Sequence, residues 1–208
     1  FDYFNHLKPR EYQEVPVRIV DLDDETLEKL GQWPWPRTQV AELVTRLREL
    51  GAAVVAFDIV FAEPDRTSPA QVLPLWEAFG ELDALKAARE DLPDHDGIFA
   101  GAIAESSVVT GFTLTKEANG KVPVAKCGFA FSGDDPKQYL PDFQGAVVNL
   151  PVLEESASGN GSFTVIAEHD GVIWRVPTLF RMGNSLYPSL AVEALRIAQG
   201  AKTLMVKS

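Results

Sequence analysis

The stretch Thr38–Phe61, TQVAELVTRLRELGAAVVAFDIVF, carries two periodicities in succession. Val40, Leu43, Val44, Leu47 and Leu50 fall at helical spacing, and Gly51 follows as a left-handed cap. From Ala52 to Phe61 every residue but Asp58 is apolar, which predicts a strand covered on both faces of a parallel sheet. Upstream, the β-branched run Val17–Asp21 reads as a first strand opening into an acidic loop. Strand, helix and strand in this order form a right-handed βαβ unit.

Outward from that unit the pattern stays mixed. Leu73, Leu75, Trp76, Phe79, Leu82 and Leu85 predict an amphipathic helix whose other face carries Glu77, Glu81, Lys86 and Arg89. Ile98–Ala104 reads as a short helix under an acidic cap, and Ser107–Thr115 as a further strand. Asn119-Gly120 predicts a turn into an edge strand, Lys121–Phe131, in which Pro123 lacks a ladder donor. Asp170-Gly171 predicts a hairpin between Gly161–His169 and Val172–Phe180. Pro188 is placed in the first turn of a last helix, Ser189–Ala198. The expected fold class is α/β, a single mixed sheet of parallel and antiparallel strands flanked by helices in three layers.

Composition narrows the function. With 208 residues, 46% of them hydrophobic, the chain can bury one sizeable core and reads as one domain. Its 30 acidic against 19 basic residues, net charge -11, oppose attraction to nucleic acid or anionic lipid. The single cysteine, Cys127, makes neither an intrachain disulfide nor a thiolate zinc site, and reads as a small packed residue. No run reaches the roughly 20 apolar residues of a membrane span, so the chain reads as a soluble piece of something longer.

Gly31–Arg37, GQWPWPR, sets two indoles between two prolines ahead of the helix. Pro34 and Pro36 stiffen the loop, and Trp33 and Trp35, able to bury roughly 150 to 250 Å² each, suit a structural clamp better than a ligand cage. Arg37 is expected to pair with an acid at a strand end, Asp21 or Asp58. Asp21 and Asp23 also resemble the nucleophile and metal-holding acid of haloacid dehalogenase-like phosphohydrolases, although Glu25 stands where that motif wants Thr or Val. The ordinary alternative makes Asp21, Asp23 and Asp24 turn and capping acids. His6, His95 and His169 have no metal-ligand spacing, and no nucleophile elbow or phosphate-cradling glycine loop appears. Asn160-Gly161-Ser162 matches a glycosylation acceptor, too short a pattern to carry weight.

Three segments taken together carry a resemblance. Val17–Asp65, containing the aromatic-proline-arginine run and the strand ending FDIVF, then HDGVIWRVPTLF with Asp170, Gly171 and Arg175, then LYPSLAVEALR with Pro188 and Ser189, resemble the CHASE2 domain in order and spacing. The resemblance implies an extracytoplasmic, periplasmic or cell-surface signal-input domain of a bacterial membrane receptor, joined to an adenylate cyclase or sensor kinase output. It implies one domain over 1–208 that lacks its C-terminal strands and flanking transmembrane helices, no catalytic residue, no cofactor and no metal. Partners would be a small-molecule or protein signal and a second copy in a homodimer, with the membrane reached only through absent helices and no nucleic acid. A purely structural dimerisation module is the remaining alternative. A ligand pocket is placed at the carboxyl ends of the parallel strands, lined by Trp33, Trp35, Arg37, Asp21, Asp58 and Phe61.

Overall fold

The computed structural model describes residues 7–9, 11, 13–77, 92–167 and 169–207. The chain divides after Trp35 into two compact units. In the N-terminal unit the described residues include the helix α1 (Asp24–Leu30). Asp23 caps it, its Oδ1 accepting the Thr26 N–H at 2.9 Å, and Gly31 closes it at φ 94°. Val17–Asp21, expected to be the first strand, enters no sheet among the described residues, and Ile19 is 90% exposed. Its β-branched residues favour extended backbone but do not themselves supply a ladder partner.

The second unit begins with α2 (Arg37–Glu49), closed by Gly51 at φ 87° as its spacing predicts. Then follow β1 (Val55–Ala56), α3 (Pro69–Glu77), α4 (His95–Ala104) and β2 (Val108–Thr115). Next come β3 (Gly128–Ser132), a 3-10 turn (Pro136–Tyr139), β4 (Asp142–Phe143), β5 (Gly145–Val147), α5 (Pro151–Ser156) and β6 (Gly159–Ser162). The chain continues through β7 (Leu179–Met182), β8 (Ser185–Pro188), α6 (Leu190–Ala198) and β9 (Thr203–Lys207). Mixed strands with helices make an α/β fold, but the described strands form three sheets rather than one. In the first, β2 is flanked by β1 and β6, both parallel to it, and its far end pairs antiparallel with β5. The second is β4-β7-β8, and the third is a parallel ribbon of β3 and β9.

Several expected strands are shorter or differently paired, and side chains explain why. Ala52–Phe61 yields only the two residues of β1; Phe57 N–H still donates to Val109 O at 3.0 Å, but at the far end Phe61 N–H donates to Asn149 Oδ1 at 2.7 Å rather than to a ladder. Gly120 does turn, at φ 72°, yet the following segment does not return along β2. Buried side chains take its backbone groups instead: Val124 N–H donates to Glu154 Oε2, Asn160 Nδ2 donates to Val124 O, and the Tyr187 hydroxyl donates to Pro123 O. Asp170-Gly171 is a turn without a hairpin. Asp170 accepts from Val172 N–H and Trp174 Nε1 across it, while β6 lies against β2 and β7 pairs with β8 around Gly183. Pro188 ends β8 rather than opening α6, which Ser189 caps by accepting from Val192 N–H. The helix predicted from Leu73 starts earlier, at Pro69, and Phe79, Glu81, Leu82, Leu85, Lys86 and Arg89 lie outside the described residues, as does His6.

Two aromatic clusters fill the interior. Phe57, Phe61 and Phe99 meet edge to face with centroids 5.1 to 5.8 Å apart. Phe112, Leu114, Phe143, Ala146, Phe180 and Tyr187 form the other. The strand β6, GNGS, is buried throughout because α6 lies directly on it. A Cβ on Gly161 would stand 2.7 Å from Leu190 Cα, and one on Gly159 would stand 2.7 Å from Glu193 Oε1. The Asn160 glycosylation match is therefore buried.

Glycine replacements separate this close approach from ordinary helix propensity. Gly161→Ala is expected to cost about 2 to 4 kcal/mol in urea unfolding, since a helix backbone must shift. Gly101→Ala, on α4 with nothing within 4 Å of the added Cβ, is expected to stabilise by about 0.5 to 1 kcal/mol.

Candidate functional site

The starts of α2 and α4 converge on one buried charged cluster. Pro36 stands at the N-cap of α2 and supplies no side-chain oxygen, so the open donors of this helix need an outside acceptor. Asp65 supplies it: Arg37 N–H donates to Asp65 Oδ2 at 2.7 Å, a carboxylate set at the positive end of the helix dipole. The other oxygen, Oδ1, accepts from the Thr67 N–H and hydroxyl, both at 2.8 Å. From α4, Asp96 Oδ2 accepts the Asp65 N–H at 2.9 Å, His95 Nδ1 lies 3.0 Å from Asp65 Oδ2, and His95 N–H donates to Ser68 Oγ.

The Arg37 side chain crosses this cluster. Its guanidinium sits 4.4 Å above the centroid of the Phe61 ring, a cation-π contact in a desolvated site. Arg37 Nε lies 3.4 Å from Asp96 Oδ1, and Nη2 donates to Glu63 O at 3.3 Å. Nε and Oδ1 face each other as charges, since neither makes a hydrogen bond. Burial pushes the Arg37 guanidinium down, against the pull of Asp96 and Asp65, yet an arginine stays charged at any working pH. Burial alone would raise the Asp65 carboxyl, but the bonds from Arg37, Thr67 and His95 outweigh it and hold the group below its ordinary 3.8.

A second buried pair lies on α6. Glu193, with no exposed surface, and Arg196, 4% exposed, bond through Nε to Oε2 at 2.7 Å and through Nη2 to Oε1 at 2.6 Å. Oε1 also accepts the Asn160 N–H of β6 at 3.2 Å. Arg196 Nη1 reaches Ala201 O at 2.6 Å, and Nη2 reaches Lys126 O at 3.4 Å. Bonding to Glu193 holds the guanidinium above its ordinary range. Next to it, burial and the Glu193 charge push the Cys127 thiol up, which makes it a poor nucleophile.

Among the residues expected to line a site, Arg37 and Phe61 meet directly. The partners expected for Arg37 are not the ones it has: Asp65 and Asp96 take that place, because the 63–65 loop and the start of α4 abut α2, while Asp58 is exposed and Asp21 is exposed in the N-terminal unit. Trp33 and Trp35 belong to that unit and meet edge to face, centroids 5.9 Å apart, with the Trp33-Pro34 peptide cis. Trp35 is 6% exposed, and its Nε1 donates to Gly31 O at 2.8 Å, so the indole N–H is satisfied locally. Asp23 is used as a cap, and the described residues contain no group of three His, Cys, Asp or Glu able to hold a metal. Asp170, Gly171 and Arg175 occupy an exposed loop, with Pro188 and Ser189 buried at the β8–α6 junction. Sequence reasoning missed Asp65, Asp96, Glu193 and Arg196; Pro36 at a helix start with no capping side chain was the one local sign that a distant carboxylate was needed.

Trp35→Ala is expected to cost on the order of 3 to 5 kcal/mol in urea unfolding. A loss below about 1 kcal/mol would show the indole free for another role. Asp65→Ala is expected to cost about 1.5 to 3 kcal/mol at pH 7, as for hydrogen bonds to a charged group. Because the folded carboxyl titrates below 3.8, the wild-type advantage is present above that value and is lost as pH falls through the folded value. The gap between the denaturant curves of the two proteins should narrow as the pH falls below 3.8, and a gap independent of pH would contradict the assignment.

A search of curated proteins and a search of solved structures each return no match. The family description "CHASE2 domain" matches residues 1–207, nearly the whole chain. CHASE2 domains are extracytoplasmic sensory domains of signalling receptors. Among the described residues no helix is long and apolar enough to cross a membrane. The chain belongs to the CHASE2 domain family.

Proposed function

We propose that this chain is the signal-input domain of a membrane-bound bacterial receptor, passing a ligand- or partner-induced change to a cytoplasmic output such as an adenylate cyclase or a sensor kinase. The observation that carries the reading is the family match across residues 1–207. The domain performs no catalysis of its own: a signal binds one arrangement better than another, and only that differential affinity changes the output. Two copies related by a two-fold axis give such a change a route across the membrane. The buried charge of Arg37 supports the reading, because packed ionic clusters switch between discrete arrangements rather than deforming smoothly.

The test uses the full-length receptor in membranes. An alkaline phosphatase reporter fused within the domain should be active, whereas a reporter active only in the cytoplasm would overturn the placement. Arg37→Gln, which shifts the balance of the cluster by about 1 kcal/mol, should change basal output roughly fivefold. Output indifferent to Arg37→Gln and to Asp65→Ala alike would contradict signal input.

A further inference from the structure

An open concavity of about 420 Å³ lies away from the Arg37 cluster, and its wall includes Lys126, Ser158, Arg196, Gly200 and Lys202. Lys126, Ser158 and Lys202 stand just before β3, β6 and β9, so the cavity opens at the amino ends of these strands, not at the carboxyl ends where sequence reasoning placed a pocket.

Its charge is unusual for this chain. Three cations line one concavity of a protein whose net charge is -11. Glu193 matches the charge of Arg196 and locks its guanidinium in place, and the other two cations of the wall, Lys126 and Lys202, make no ion pair with Glu193 among the described residues. The Lys126 ammonium donates to Glu155 O at 2.9 Å, which orients it without neutralising it. Lys202 O accepts the Gly128 N–H at 3.2 Å, so the backbone segments that carry the two lysines run together at the entrance of the ribbon. The negative end of α6 does not cancel this field, since Ile197 O accepts from Gly200 N–H, Arg196 O accepts from Ala201 N–H, and Arg196 itself covers Ala201 O.

We infer that the cavity bounded by Lys126, Ser158, Arg196 and Lys202 binds a small soluble dianion of the phosphate type. The two ammonium groups supply charge, and the Ser158 hydroxyl supplies a further donor. Bound there, the anion ties the lead into β3 to the turn between α6 and β9, and so fixes the ribbon against α6. The inference rests on the sensor reading only in making this anion the signal; the site itself is tested on the chain alone.

Thermal unfolding is followed while inorganic phosphate replaces chloride at constant ionic strength. A saturable rise in Tm is expected, with Lys202→Gln weakening the apparent affinity about tenfold and Lys126→Gln/Lys202→Gln abolishing saturation. Lys116→Gln, an exposed lysine beyond β2 that is not among the cavity residues, should leave the affinity within about twofold. Lys202→Glu, at an exposed position that tolerates the change, should remove the rise while the chain stays folded in phosphate-free buffer. No saturation in the wild type, saturation persisting in the double variant, or an equal loss in Lys116→Gln would each overturn the site. A receptor whose output ignores phosphate, while the isolated domain binds it, would refute the anion as the signal and leave the site standing.

Discussion

The fold converges on the Glu193–Arg196 pair. Both side chains are withdrawn from water at a cost of several kcal/mol per ion, and that cost is offset only when the geometry is bidentate and the remaining donors and acceptors are used. Here they are: one carboxylate oxygen takes the backbone of β6, and the guanidinium reaches the carbonyls leading into β3 and β9. Three stretches far apart in sequence, around Lys126, around Asn160 and from Glu193 to Ala201, therefore share one ionic knot. The glycines of β6 follow from the same constraint, since only bare backbone lets α6 come close enough for Glu193 to reach Asn160. Losing one member of such a pair leaves an uncompensated buried charge and costs about 3 to 5 kcal/mol.

Arg37 meets a related problem differently. Its charge is shared among an aromatic face, a carbonyl and a carboxylate, and its own backbone N–H is held by a second carboxylate. Asp65 is the hinge of that arrangement, because it caps α2, closes its own loop through Thr67 and is held from α4 by Asp96 and His95. The aromatic trio beneath it makes the cluster a place where packing and charge are coupled. A domain that must hold two arrangements benefits from such coupling, since a small change in charge or contact is felt by a whole layer of side chains.

Much of the local structure was legible from periodicity and caps. The helical spacing of Val40 to Leu50, the left-handed Gly51 and the acid before α4 all stand where the residues put them. Strand partners were not legible, because distant side chains chose them. Asn149, Glu154 and Asn160 look like ordinary surface residues in the sequence, yet they bond to the backbone of segments that pattern alone would place in a ladder. Glu193 and Arg196 look like an exposed i,i+3 pair, and only the glycines of β6 hint that the helix face is pressed onto a strand. Arg37 was visible as a charge at a helix start, but its acids lie 28 and 59 positions away, beyond any local rule.

Native-state hydrogen exchange in the Glu193→Leu/Arg196→Met chain tests whether the buried pair ties the ribbon to the domain. Apolar replacements of similar volume keep the core filled while removing every bond to Ala201 O and Lys126 O. The account predicts that amides of β3 and β9 lose protection by about tenfold or more, while those of Val109–Phe112 in β2 keep theirs. Ribbon amides that exchange at the wild-type rate, or a loss spread equally over β2, would contradict it.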